Sequence, residues 1–202
     1  MSRPRDSQQT KLYRAEGQVF TFETHLSLVQ AQDLADRVVK SVDWRDLTKE
    51  NGLNWALCQF VAVMIHEKSR TRGGHAGVFY RNGGQGHTLL EAVQQLGRPF
   101  SHARGLILLG SDYVSTELIL HEMSHAATLD KEESHGWRFC RTYLALVRRF
   151  IGHGTAKALE SSFKRNRVKY KAPRKFSPAA REVLRLRGLA LAELQRKRRA
   201  GP

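Results

Sequence analysis

The sequence predicts an α+β fold, a single domain with a small sheet packed on helices, followed by a basic C-terminal extension. Apolar stripes at helical spacing alternate with short β-rich runs, yet no regular strand–helix–strand repeat emerges. A chain of 202 residues with 41% hydrophobic content suits one ordinary core. The charge is lopsided: residues 163–202 hold fourteen Lys/Arg and two Glu, +12 of the chain's net +15, which leaves residues 1–162 nearly neutral. The expected division is therefore a domain over residues 1–162 and a basic extension over 163–202, partly helical or disordered.

Residues 6–20 have weak helical character through Leu12, Ala15, Val19 and Phe20. A clearer helix runs from Leu28 to Ser41, capped by Ser27, with Leu28, Ala31, Leu34, Ala35, Val38 and Val39 on one stripe. The run LNWALCQFVAVMI, residues 53–65, is apolar nearly throughout and fits a buried helix, a buried strand or a helix passing into a strand. SRTRGG and NGGQG read as turns around a short strand AGVFYR, and HTLLEAVQQLG as a helix ending at Gly97. GLILLG, residues 105–110, is a glycine-bounded apolar strand. A helix then begins at Ser115 or Thr116, both good caps, and carries Leu118, Ile119, Leu120, Met123, Ala126 and Ala127. Another spans residues 136–151 and stops at Gly152-His153-Gly154.

Two widely separated cysteines, Cys58 and Cys140, make no disulfide framework and suit a reducing compartment. The N-terminus lacks the apolar core of a signal peptide, and no run approaches 18 uninterrupted apolar residues. The expectation is a soluble cytoplasmic protein with no membrane partner.

The chemistry concentrates in HEMSHAATLDKEESHGWRF, residues 121–139. His121 and His125 stand one helical turn apart on one face, where both imidazoles can reach one Zn2+. Glu122 flanks that face without having to ligate, positioned to take the proton of a metal-activated water. A catalytic zinc needs a third protein ligand and one open position. His135 is the best third ligand, because it opens the next helix after the break Asp130-Lys131-Glu132-Glu133-Ser134 and precedes Gly136, which permits close backbone approach. Asp130, Glu132 and Glu133 are weaker candidates in a charged, well-solvated turn. The competing readings are a helix whose histidines are merely solvated, and a zinc site that binds without catalysing. His25, His66, His75, His87, His102 and His153 have no partner at ligand spacing. Tyr113 suits packing better than oxyanion stabilisation.

HEMSHAA followed by HGWRF resembles the SprT-like metallopeptidases, whose pattern is HExxH, a spacer, then His-Gly and an aromatic. The resemblance implies a zincin-like fold with zinc on His121, His125 and His135, Glu122 as catalytic base, and Phe139 packed under the site. RDSQQTKLYRAE at the N-terminus is similar to the opening of a group of actinobacterial and phage metallohydrolases with the same elements, so a phage origin, acting in a host cytoplasm, is the alternative setting. Together the matches cover most of residues 4–155. Two departures stand out: Trp137 replaces the proline that many relatives carry after His-Gly, and no cysteine pairs supply the C-terminal zinc module common in SprT-like proteins. Relatives that act in DNA–protein crosslink repair use a DNA-binding region beside the protease, a place the basic extension would fill.

In SFKRNRVKYKAPRKF, residues 162–176, basic side chains alternate with Phe163, Tyr170 and Phe176. Cations neutralise phosphates and release counterions, while aromatics stack on unpaired bases. The candidate nucleic-acid contacts are Lys164, Arg165, Arg167, Lys169, Lys171, Arg174 and Lys175. A solvated tail is the plainer alternative. Ser177 and Pro178 open a further helix weakened by Gly188.

These readings converge on a zinc-dependent metallopeptidase acting on a protein or peptide near DNA, with the strand at 105–110 pairing an extended substrate. The rival is a non-catalytic nucleic-acid-binding protein with a structural zinc.

Overall fold

A computed structural model describes residues 6, 8–21, 25–53, 61–66, 77–81, 105–110, 114–128, 134–173, 177, 182–183, 185–187, 189, 191–193 and 195–196. The expected helix at 87–97, Tyr113, and the segment 129–133 with its acidic alternatives lie outside these residues. The described chain is mostly helical: α1 (Gln9–Glu16), α2 (Leu28–Lys40), α3 (Val42–Glu50), α4 (Thr116–Ala126), α5 (Trp137–Phe150) and α6 (His153–Arg165), with strands β1 (Val61–His66), β2 (Gly77–Arg81) and β3 (Gly105–Gly110). No helix among the described residues is long and apolar enough to cross a membrane.

Local chemistry explains the helix ends. Ser27 caps α2 in a reciprocal box, its hydroxyl accepting from Gln30 N at 3.2 Å while Ser27 N donates to Gln30 Oε1 at 2.9 Å. Ser41 ends α2 and caps α3 through its hydroxyl, which accepts from Trp44 N. Ser115 caps α4 by accepting from Leu118 N. Gly152 has φ 141, a conformation open to glycine, which lets the chain turn from α5 straight into α6. The Gly152-His153-Gly154 stop is thus a corner between two helices, and the pair of glycines gave no sign that α6 follows at once.

The three strands form one sheet in the order β1-β3-β2, with β1 parallel and β2 antiparallel to β3. The apolar run at 53–65 resolves as a strand from Val61 onward, while residues 54–60 lie outside the described set. Because β3 is central, both rows of its backbone groups are already paired. The expectation that residues 105–110 would pair a substrate is therefore corrected. On β1, the Gln32 side chain from α2 donates to Val61 O at 2.9 Å and accepts from Val63 N at 2.8 Å, imitating a neighbouring strand.

Helices α2 and α4 pack on the sheet and on each other, and α5 packs on α4. The core holds Leu34, Val38, Trp44, Ile107, Leu109, Ile119, Leu120, Met123, Phe139, Tyr143 and Leu146. A neighbouring region packs Leu12 and Ala15 of α1 with Leu159 and Phe163 of α6. Ser162 ties these two helices, its hydroxyl reaching Ala15 O at 3.0 Å and Gln18 Oε1 at 2.7 Å.

The chain divides into two compact units, Met1–Lys171 and Ala172–Pro202. The boundary expected after residue 162 falls inside α6, where Ser162 and Phe163 are fully buried. A helix that closes the core cannot be cut there, so the first unit keeps the stretch through Lys171. In the second unit the described residues between 182 and 196 are helical, and Arg185 pairs with Glu182 at 2.7 Å.

Candidate metal centre

Helix α4 presents its apolar residues Ile119, Leu120, Met123 and Ala126 to the core, which fixes the rotation that places His121 and His125 together. Its N-terminus is set by Ser115. Its C-terminus is held by buried Asn51, whose Nδ2 donates to Ala127 O at 2.7 Å and to Thr142 Oγ1 at 3.1 Å. His135 comes from the start of α5, where Gly136 is the cap residue and is itself buried. The fold thus brings together His121, His125 and His135, with ligand atoms all within 4.8 Å of one another.

Phe139, 1% exposed, forms the floor. Its ring centroid stands 4.9 Å from that of His121, 4.4 Å from His125 and 4.8 Å from His135. One aromatic side chain packs under all three imidazoles. Glu122 is buried beside them, near enough for its charge to act on the Tyr13 hydroxyl.

The three imidazoles could hold a metal ion. His121 Nε2 and His135 Nε2 face each other at 3.4 Å. Two imidazole nitrogens on one tetrahedral zinc, each about 2.0–2.1 Å from it, stand about 3.3–3.4 Å apart. Among the described residues three imidazole nitrogens converge, with buried Glu122 as their acidic neighbour.

Helix α1 and the residues before it complete the surroundings, a role that nothing in their spacing assigned to them. His121 Nδ1 lies 2.7 Å from Glu16 Oε1, and His135 Nδ1 is hydrogen-bonded to Asp6 Oδ2. The Asp6 Oδ1 atom accepts from Gln8 N and Gln9 N, each at 3.1 Å. Gln8 Nε2 donates to His135 O at 2.9 Å, and Cys140 Sγ donates to the same carbonyl at 3.4 Å. Tyr13 lies across His121 and His135, with centroids 5.9 and 5.5 Å away. The available signal was a polar stripe, Asp6, Gln9, Tyr13 and Glu16, at spacings of about one helical turn.

Burial shapes the titration of these groups. It pushes the Glu16 carboxyl up to about 8, opposed by the charge of His135 and a hydrogen bond with Tyr143. It pushes the Tyr13 hydroxyl up to about 12, with Glu16, Glu122 and Asp6 adding to the shift and the Gln9 hydrogen bond opposing it. For Asp6, burial works upward, but hydrogen bonds from His135, Gln8 and Gln9 prevail and hold the carboxyl below its ordinary value. Tyr143 stays far above the usual phenol range because it is buried beside Glu16 and Glu117.

The expected nucleic-acid contacts divide. Lys164, Arg165, Arg167, Lys169 and Lys171 are exposed on the first unit. Lys164 Nζ pairs with Glu160 at 3.3 Å, and Lys171 Nζ stands 5.6 Å from the Tyr170 ring centroid. Arg174, Lys175 and Phe176 lie outside the described residues. Stacking on bases by Phe163 is ruled out by its place in the core, and Tyr170 packs against it at 5.8 Å while donating to Glu160 Oε1.

Comparison of the chain with protein-family models, with curated proteins and with solved structures found no match.

Proposed function

We propose that the chain is a zinc-dependent metallopeptidase with a zincin-like α+β domain of the SprT-like kind, working in the cytoplasm close to DNA. The observation that carries the reading is the convergence of His121, His125 and His135 around one point, with buried Glu122 beside them. Zinc held by the three imidazoles would supply a Lewis acid that polarises a scissile carbonyl and acidifies water. Glu122 takes the proton from the attacking water and passes it to the leaving amine. Phe139 closes the floor and keeps bulk water from the rings. The Tyr13 hydroxyl stays protonated at neutral pH and is a donor at the edge of the site. Exposed Lys164, Arg165, Arg167, Lys169 and Lys171 give the first unit a basic surface that supports a polyanionic partner, with DNA as the proposal.

Replacement Glu122→Gln keeps the shape and removes the base. Zinc content should stay at the wild-type level while proteolysis of an unfolded protein substrate, assayed with and without single- and double-stranded DNA, falls by about 10²–10⁴-fold. Equal behaviour of mutant and wild type in every such assay would instead favour a nucleic-acid-binding protein with a structural zinc.

A further inference from the structure

We propose that Asp6 and Glu16 are positioning residues for the metal centre, fixing His135 and His121 in the Nδ1-protonated form so that both Nε2 atoms face one ion. The proposal rests on reading these histidines as metal ligands, and it gives the N-terminal segment a role in that site. A neutral imidazole has one protonated nitrogen and one acceptor, and the partner of one nitrogen selects the state of the other. His121 and His135 each have a carboxyl oxygen against Nδ1. With both Nδ1 atoms protonated, the two Nε2 atoms, 3.4 Å apart, can both offer lone pairs to one ion.

Glu16 ends α1 and Asp6 lies just before it, and both ends of this stretch are held in place. Leu12 and Ala15 bury α1 in the core, and Ser162 binds its last turn. Gln8 spans the start, donating to His135 O while its Oε1 accepts from Lys169 N. The backbone amides of Gln8 and Gln9 aim the Asp6 carboxylate. Asp6 and Glu16 are 129 and 105 residues from their histidines in sequence, so the segment closes over a site built elsewhere in the chain. Carboxylates placed this way orient the ring and make it a better ligand, and their loss typically costs 10–100-fold in metal affinity.

The test uses the full-length chain and Zn2+ in competition with a chromophoric chelator. Asp6→Ala and Glu16→Ala should each bind zinc about 10–100-fold more weakly while circular dichroism stays native. Asp6→Asn and Glu16→Gln, whose amide oxygens can accept the same N–H, should recover part of the loss. In the zinc-loaded wild type, imidazole NMR should show hydrogen-bonded Nδ1–H protons on His121 and His135, and Asp6→Ala should remove only that of His135. Glu16 is more deeply buried than Asp6, so if its alanine variant unfolds, Asp6 decides. Wild-type zinc affinity in Asp6→Ala with the His135 signal intact would overturn the proposal. A wild-type chain that takes up no zinc would overturn the metal reading itself, and this assignment with it.

Discussion

Replacing Phe139 by leucine tests how the aromatic floor supports the three histidines. The ring is fully enclosed and touches His121, His125, His135 and Tyr143, with centroids between 4.4 and 6.1 Å away. Leucine keeps the position apolar but removes part of the volume and all of the ring–ring packing. Aromatic pairs contribute about 0.5–1.5 kcal/mol each beyond area, and such pairs in one cluster do not add fully. Together with the small cavity, the cost should be about 1–2 kcal/mol. For a unit of this size, each kcal/mol lowers Tm by about 2–4 °C, so a fall of about 2–8 °C is expected. The rings should also settle less well around an ion, so the rise in Tm on adding Zn2+ should shrink relative to wild type. Thermal unfolding of the two proteins, with chelator and with excess Zn2+, measures both quantities. Unchanged Tm together with an unchanged zinc-induced shift would refute the idea that Phe139 supports the site.

Asn51→Ala leaves Ala127 O at the end of α4 and the Thr142 hydroxyl without their shared donor, and should destabilise by about 1–3 kcal/mol in denaturant unfolding. Gln32→Leu strips the cover from β1 at Val61 and Val63, so it should lower stability by a similar amount and raise aggregation seen by light scattering. Lys169→Glu combined with Lys171→Glu should weaken DNA binding measured by anisotropy. On duplex DNA the slope of log affinity against log salt should flatten by about 0.9 for each phosphate that the protein no longer neutralises. Binding with unaltered salt dependence would move the DNA-binding surface away from this stretch.

Parts of this molecule were legible in the sequence because their signals are local. Ser27 and Ser115 announce helix starts, and the stripe Ala31, Leu34, Ala35, Val38 and Val39 is the buried face of α2. Helix α3 carries little signal of its own, because Ser41 serves as both the end of one helix and the cap of the next, and only Trp44 and Thr48 are buried along it. Helix α6 was hidden by two glycines that usually signal an end, and its Phe163 looked like part of a basic tail although it completes the core. GLILLG carried its own correction: an unbroken apolar run suits a strand buried on both faces, and in β3, central in the sheet, the adjacent residues Leu106 and Ile107, which point to opposite faces, are both buried. The spacing of His121, Glu122, His125 and His135 outlined the candidate site. Asp6 and Glu16 could not be attached to it from spacing, since only tertiary structure carries them to their histidines.

Metal analysis of the purified chain beside His135→Ala tests the central claim most directly. About one zinc per wild-type chain is expected, with most of it lost in the variant while its circular dichroism spectrum remains native. Zinc retained in full by His135→Ala, or no zinc in the wild type after incubation with a stoichiometric supply, would contradict it.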